Sequence, residues 1–367
     1  MNEAKPQKYN DKRPLPQQHK RCFGNDYHGR RVYMVTLCTE GRAPLLGTLI
    51  GDSAETATIE PSALGRQVLL CWENIPIIQK QLARKKSEST GISCLRDISL
   101  IACQLMPDHF HGIIFIRNEM DIALGDVIRG FMVGCTKAYR KQSDIKDNRP
   151  LWEKGFHDRV LNHPGQLNNM IAYVRDNPRR LWLKTHHPEL FRLHRQTEIR
   201  GLTFTSLGNH FLLDWPVRQL VEVSRRASDE QIQEKLQLVL AEASNGAITY
   251  TAAISPGEKL IARTLRERGL PLVVLLANGF PDINSPQAQY YKPGGLYFEA
   301  CSLGNLLLME PMAQSFLAPA VKIATDNALR KKAESNRQCY SDIPIESQRY
   351  RFLALNEIGR LLVDDNH

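Results

Sequence analysis

Short runs of β-branched and aromatic residues alternate with longer stretches whose apolar positions recur at helical spacing. Arg31-Val-Tyr-Met-Val-Thr-Leu-Cys-Thr39 predicts a strand. Gly41, Pro44 and Gly47 mark a turn region, and residues 48–59 supply a hairpin. Residues 61–72 carry apolar side chains at helical spacing. Residues 98–105 and 109–117 predict two strands broken at Pro107, and so short a connection makes them antiparallel neighbours. Residues 124–141 predict a helix with one basic flank, Arg129, Lys137, Arg140 and Lys141. The order strand, hairpin, helix, strand, strand, helix predicts an antiparallel sheet with helices on one face, an α+β sandwich. A further helix covers 165–177, opened by Pro164 and stopped by Pro178, because proline disfavours helical geometry in the residue before it. Its apolar stripe is Leu167, Met170, Ile171 and Val174. Tyr173 and Asn177, four apart, share a face.

The second half changes pattern. Residues 229–243 predict an amphipathic helix and 247–254 a strand. Ser255-Pro-Gly-Glu258 then reads as a helix start, with Ser as N-cap, Pro at N1 and Glu at N3. The helix 259–268 ends at Gly269. The uninterrupted apolar runs 272–277 and 305–309 suit strands buried on both faces, as in parallel sheets. Strand–helix–strand alternation predicts a doubly wound α/β domain from about residue 205 onward.

A chain of 367 residues suits two or three domains, and 42% hydrophobic residues suffice for real cores. The expected division is an arm over 1–29, one domain over 30–200 and another over 201–367. The net charge of +9 is unevenly placed: residues 1–200 hold 31 Lys and Arg against 21 Asp and Glu, the remainder 17 against 18. A basic half joined to a neutral half points the first half at a polyanion, nucleic acid above all. The eight cysteines show no Cys-x-x-Cys spacing, which argues against a zinc ribbon or thioredoxin-like site and suits a reducing cytoplasm. Residues 1–29 are polar and basic (Lys5, Lys8, Lys12, Arg13, Lys20, Arg21), a flexible arm rather than a signal peptide. No apolar stretch approaches the roughly 18 residues that span a bilayer.

The chemistry concentrates in Met106-Pro-Asp-His-Phe-His-Gly112. On a strand, His109 and His111 project from one side while Phe110 enters the opposite layer. Two imidazoles so presented can grip one metal ion, although His-x-His is also an ordinary strand pattern. With an oxygen as third ligand the set suits Mg²⁺ or Mn²⁺ and would accept other divalent ions. Such an ion acts as a Lewis acid on a scissile phosphate. Tyr173 stands on a helix beside Arg175, Arg179, Arg180 and Lys184, which read as phosphate contacts. A phenolic oxygen can attack phosphorus and form a covalent phosphotyrosine, which keeps the energy of the phosphodiester and permits rejoining without ATP.

Four blocks occur in a telling order: Arg31-Val-Tyr-Met-Val-Thr-Leu-Cys-Thr39, Met106-Pro-Asp-His-Phe-His-Gly-Ile-Ile114, Leu151-Trp-Glu-Lys-Gly-Phe-His-Asp158 and Tyr173-Val-Arg-Asp-Asn-Pro178. Together they resemble the single-tyrosine HUH transposases, most of all the REP-associated tyrosine transposase branch, over about residues 28–185. The resemblance implies a ferredoxin-like antiparallel sheet. It also implies His109 and His111 as the metal pair, Tyr173 as the nucleophile that makes a 5′-phosphotyrosine and frees a 3′-hydroxyl, and Asn177 as a further metal ligand. Single-stranded or hairpin DNA is the implied partner and a homodimer the implied assembly. Asp108 departs from the family, which commonly has Asn there. A carboxylate at this position could bind the metal, orient a histidine or cap a turn, and the last two are favoured. For His157 a structural role is favoured over contact with DNA or metal, and for Trp152 and Phe156 core packing over stacking on a base.

In the second half, Ser255-Pro-Gly-Glu258, residues 272–280, Tyr291-Lys-Pro-Gly-Gly295, Cys301-Ser-Leu-Gly304 and Leu353-Ala-Leu-Asn-Glu-Ile-Gly359 resemble Rossmann-like domains of the DprA/SMF type, which handle single-stranded DNA or nucleotides. No complete Gly-x-Gly-x-x-Gly is present, and an interaction or stabilising role weighs equally. The helix beginning at Pro256 could receive a phosphate on its N–H groups. The sequence thus predicts a metal-dependent single-stranded DNA endonuclease and strand transferase. The alternatives are a non-catalytic hairpin-binding regulator with a ligand-sensing second domain, and a replication or conjugation initiator with the same chemistry.

Overall fold

Strand alternation decides the first unit. The computed structural model describes residues 25–142, 150–280, 290–291, 293–336 and 348–364. The arm expected over 1–29 lies outside them up to residue 24. Residues 25–29 are packed: Tyr27 stacks on Tyr33 and donates its hydroxyl to Asp158 Oδ2 at 2.8 Å. Along the chain follow β1 (Arg31–Cys38), the ribbon β2 (Gly47–Ile50) and β3 (Thr58–Pro61), helices α1 (Ala63–Glu73) and α2 (Ile75–Thr90), strands β4 (Ile98–Leu105) and β5 (His109–Ile116), α3 (Leu124–Gln142), β6 (His157–Val160) and α4 (Gln166–His186). The main sheet runs β4-β5-β1-β6, antiparallel throughout.

One face of this sheet is the core. Tyr33, Val35, Leu37, Phe110 and Ile114 are buried on it. Phe110 meets Trp72 of α1 at 5.0 Å and Phe131 of α3 at 5.6 Å between ring centroids. Gly112 is required there, since a Cβ would lie 2.4 Å from the Trp72 ring. The helices were expected on one face only, but α4 places Tyr173 against His111, whose side chain leaves the opposite face of β5. The strand β6 and the helix α2 had no counterpart in the sequence reading. The buried stripe of α2 is Ile75, Gln79 and Ala83, while Ile77, Ile78 and Leu82 are exposed. Gln79 is tolerated inside because Arg96 donates to its Oε1 at 3.0 Å. A polar residue on the inner stripe and apolar ones outside hide the helix from a periodicity reading.

Pro178 does not end α4 as the sequence predicted. It removes the N–H that would reach the Val174 carbonyl. The Asn177 side chain replaces that donor: Nδ2 donates to Val174 O at 3.3 Å and to Tyr173 O at 2.9 Å. The helix therefore continues to His186.

The chain divides into two compact units between Trp182 and Leu183, inside α4. Residues 183–200, placed with the first domain by sequence, belong to the second unit, where Phe191 stacks on Phe298 at 5.0 Å. That unit comprises β7 (His194–Ile199), β8 (Leu202–Gly208), β9 (Arg218–Val221), α5 (Asp229–Ser244), β10 (Ile248–Thr251), α6 (Pro256–Glu267), β11 (Leu272–Leu275), α7 (Gly295–Ser302), β12 (Leu306–Pro311), α8 (Ala313–Phe316), α9 (Pro319–Asn336) and α10 (Gln348–Val363). Its six-stranded sheet is ordered β7-β8-β12-β11-β10-β9. Strands β9 to β12 are parallel, and β8 and β7 close one edge antiparallel. Tyr250, Val273, Leu275, Leu307 and Met309 pack with α9 and α10, while the intervening residues of β10–β12 are also buried. Burial on both faces explains the unbroken apolar runs. With antiparallel pairing in both sheets and helices beside them, the chain is of the α+β class.

Candidate functional site

The site is built on the face of the first sheet that Phe110 does not occupy. Directly paired residues of an antiparallel sheet project to the same side. The register therefore lays one row across all four strands: Gln104 opposite His111, His111 opposite Thr36, and Thr36 opposite His157. His109 stands one step along, opposite Cys38. The two imidazole rings meet edge to face with centroids 4.7 Å apart.

Both rings are oriented through Nδ1. Asp108 Oδ1 accepts from His109 Nδ1 at 2.6 Å, and Thr36 Oγ1 lies 2.8 Å from His111 Nδ1. Nε2 is then the nitrogen each ring would offer a metal, and at His109 the acceptor-only carboxylate of Asp108 favours the tautomer that does so. Burial pushes the Asp108 carboxyl upward, but the His109 hydrogen bond and charge, with Arg42, hold it below its ordinary value. Arg42 Nη1 approaches Asp108 Oδ2 at 3.5 Å. The Asp108 carboxylate thus touches His109 and can orient its ring.

Tyr173 completes the arrangement. Its ring centroid is 6.0 Å from that of His111, edge to face, within one chain. Arg180 covers the phenol, its guanidinium carbon 5.4 Å from the ring centroid. Asp176 fixes this arginine: its Oδ2 accepts from Arg180 Nε and its Oδ1 from Arg179 Nε, each at 2.5 Å. Burial works against ionising Asp176, yet the two arginines hold its carboxyl below the ordinary range.

The remaining expected residues are scattered. Arg180 is only 7% exposed, so its charge is spent on Asp176 and Tyr173 rather than displayed to solvent. Arg175 is exposed and Lys184 half-buried, the latter beyond the division between the units. Arg129, Lys137, Arg140 and Lys141 are exposed on α3, which packs through Phe131 against Phe110. They therefore lie on the side of the sheet away from the histidines. Trp152 and Phe156 are buried in the core.

Asn177 is 3% exposed and gives its amide to the helix backbone, so only its Oδ1 remains as a ligand atom. Among the described residues no group of three or more His, Cys, Asp or Glu side chains is placed to hold a metal. A divalent ion here would rest on two imidazoles, neutral oxygens and water. Two rings already steered through Nδ1 fit that task. Gln104 donates its amide to Leu105 O at 2.9 Å and keeps a carbonyl oxygen in the same row.

Sequence reasoning missed Thr36, Gln104 and Arg42. Gln104 was within reach, because a four-residue turn from Leu105 to Phe110 puts it opposite His111. Thr36 is set by a pairing 75 residues apart that nothing local announces.

In the second unit, Ser255 caps α6, its Oγ accepting from Glu258 N at 3.1 Å. Glu258 in return accepts from Val223 N at 3.0 Å, Ile254 N at 2.7 Å and Ser255 N at 3.2 Å, and is 3% exposed.

No family model matches the chain. An uncharacterised protein of Haemophilus influenzae Rd is 22% identical over 173 residues, covering 42% of this chain and 83% of the relative. Among solved structures, a REP-associated tyrosine transposase bound to a REP hairpin is 14% identical with a TM-score of 0.26, over 46% of this chain and 84% of that one. A proposed transposase from Deinococcus radiodurans R1 is 15% identical with a TM-score of 0.22, over 43% and 96%. At these TM-scores the likeness decides neither fold nor function, and what this chain does rests on the geometry of its own residues.

Proposed function

We propose that the chain is a metal-dependent single-stranded DNA endonuclease and strand transferase that works through a 5′-phosphotyrosine on hairpin or repeat DNA. On this reading the first unit is an HUH nuclease with a ferredoxin-like sheet, and the second a Rossmann-like domain. One observation carries the reading: a helical tyrosine ring packs against His111, which is paired with His109 on one sheet face. His109, His111 and the oxygens of Asn177 or Gln104 would hold Mg²⁺ or Mn²⁺, which when bound supplies charge neutralisation at a scissile phosphate.

The chain's own residues do the rest. Asp108 and Thr36 fix the rings. Asp176 fixes Arg180, whose guanidinium lies over the Tyr173 ring and steadies the phenol. Tyr173 Oη attacks phosphorus, the bond to the 3′-oxygen breaks, and reversal of the step rejoins the strand. The arrangement is complete within one chain. A pair of chains would allow two cut ends to be exchanged.

The test is incubation of the full chain with a hairpin oligonucleotide from the flanks of its own gene and Mn²⁺ or Mg²⁺. A covalent protein–DNA band on a denaturing gel is expected, lost in Tyr173→Phe with hairpin binding retained. A Tyr173→Phe protein that still forms the adduct, or a parent that never forms one, overturns the reading.

A further inference from the structure

The row that carries His111 ends at another imidazole. His157 is exposed on β6 and lies opposite Thr36, which lies opposite His111. Neighbouring strands are about 4.8 Å apart, so His157 stands roughly 10 Å from His111 along the sheet. That is too far to share a ligand position with it, and close enough to reach the other side of one phosphodiester.

Three observations place it on the site face. Asp158 leaves β6 on the core side and is held by Tyr27, so its neighbour His157 is sent to the site face. Val160 is buried in the core, which confirms the parity of the strand. The helix α4 crosses this face obliquely: Met170 Sδ lies 4.0 Å from Arg159 Nη1, and Tyr173 lies on His111. His157 is exposed on this face, in the same row as the imidazole that meets the phenol.

We propose that His157 is the general acid for the leaving group, a role that rests on the function proposed above. As Tyr173 Oη forms its bond to phosphorus, the phenolic proton passes to solvent. The bond from phosphorus to the 3′-oxygen breaks, and protonated His157 delivers its ring proton to that oxygen, yielding the free 3′-hydroxyl. In rejoining, neutral His157 takes the proton back as the 3′-oxygen attacks the phosphotyrosine and the phenol is reprotonated from solvent. An in-line displacement needs its entering and leaving oxygens on opposite sides of phosphorus, and the sheet row supplies one group for each side.

The experiment compares parent, His157→Gln and Tyr173→Phe on a hairpin oligonucleotide and on the same oligonucleotide with sulfur in place of the scissile 3′-bridging oxygen. A thiolate leaves without a proton. His157→Gln is expected to slow adduct formation about 10²–10⁴-fold on the oxygen substrate. On the sulfur substrate it is expected to match the parent within about threefold. Hairpin affinity by fluorescence anisotropy is expected to stay within the same margin. An equal slowing on both substrates, or no slowing on either, overturns the assignment. The Tyr173→Phe arm keeps the two proposals apart, because an adduct surviving there would overturn the nuclease reading itself, whatever His157 does.

Discussion

The residues of the site are set by partners that carry no chemistry of their own. Thr36 is the clearest. Its hydroxyl, 2.8 Å from His111 Nδ1, engages that nitrogen and steers the ring so that Nε2 is left for a metal. Thr36→Val keeps the shape and removes that partner, so Mn²⁺ affinity measured by calorimetry is expected to fall about 10–100-fold with the thermal transition little moved. Asn177 makes a second case. It supplies the donor that Pro178 lacks, to a carbonyl inside α4. Asn177→Ala is expected to cost roughly 2 kcal/mol in chemical denaturation, by stranding that carbonyl. In a Pro178→Ala background, where the backbone N–H returns, the same change should cost less than about 1 kcal/mol. Equal costs in the two backgrounds would remove the explanation given for the length of α4.

Among elements, the β7–β8 hairpin of the second unit contains a pH-sensitive pair. His210 follows β8, holds Nε2 2.8 Å from Ser206 Oγ and lies 4.2 Å, ring to ring, from His194 on β7. Burial first, and then the charge of His194, push His210 down to about 4. Burial and Arg192 lower His194 as well. A base depressed in the folded state binds its proton more readily when unfolded. Stability therefore rises with pH between about 4 and the ordinary histidine value near 6.5, and is lost on acidification through that window. His210→Gln keeps a polar partner for Ser206 and abolishes the titration. Between pH 7.5 and 5.0 the parent is expected to lose on the order of 1–2 kcal/mol more than the variant, after allowance for a half-buried site. Denaturant titrations at the two pH values check this, and parallel losses would refute it.

The same scale shows what a periodicity reading misses. Strands β1, β4, β5, β10, β11 and β12 and helices α1, α3, α5 and α6 were legible because their inward positions are apolar and their ends are marked. Ser255 and Glu258 form the capping box that their spacing announced. The helix α2 was illegible because its inner stripe includes Gln79, and the far half of α4 because a side chain stands in for a missing backbone donor. In each case a polar contact made in the fold overrides a local rule.

Over the whole molecule, the charge asymmetry and the two styles of apolar run marked a basic antiparallel half and a neutral half with buried parallel strands. The place where one unit gives way to the other was not marked, because it falls inside a continuous helix. The sequence by itself determined that His109 and His111 share a face, since alternation along a strand is local geometry. It likewise put Tyr173 and Asn177 on one face of a helix. Only the tertiary structure decided that the Tyr173 ring lies against His111, that Arg180 is buried against Asp176 and Tyr173, that the basic flank of α3 faces away, and that Thr36 and His157 stand in the row of His111. Those facts depend on the register between strands distant in the chain and on the side of the sheet each helix covers, and both are set by long-range packing rather than by any neighbouring residue.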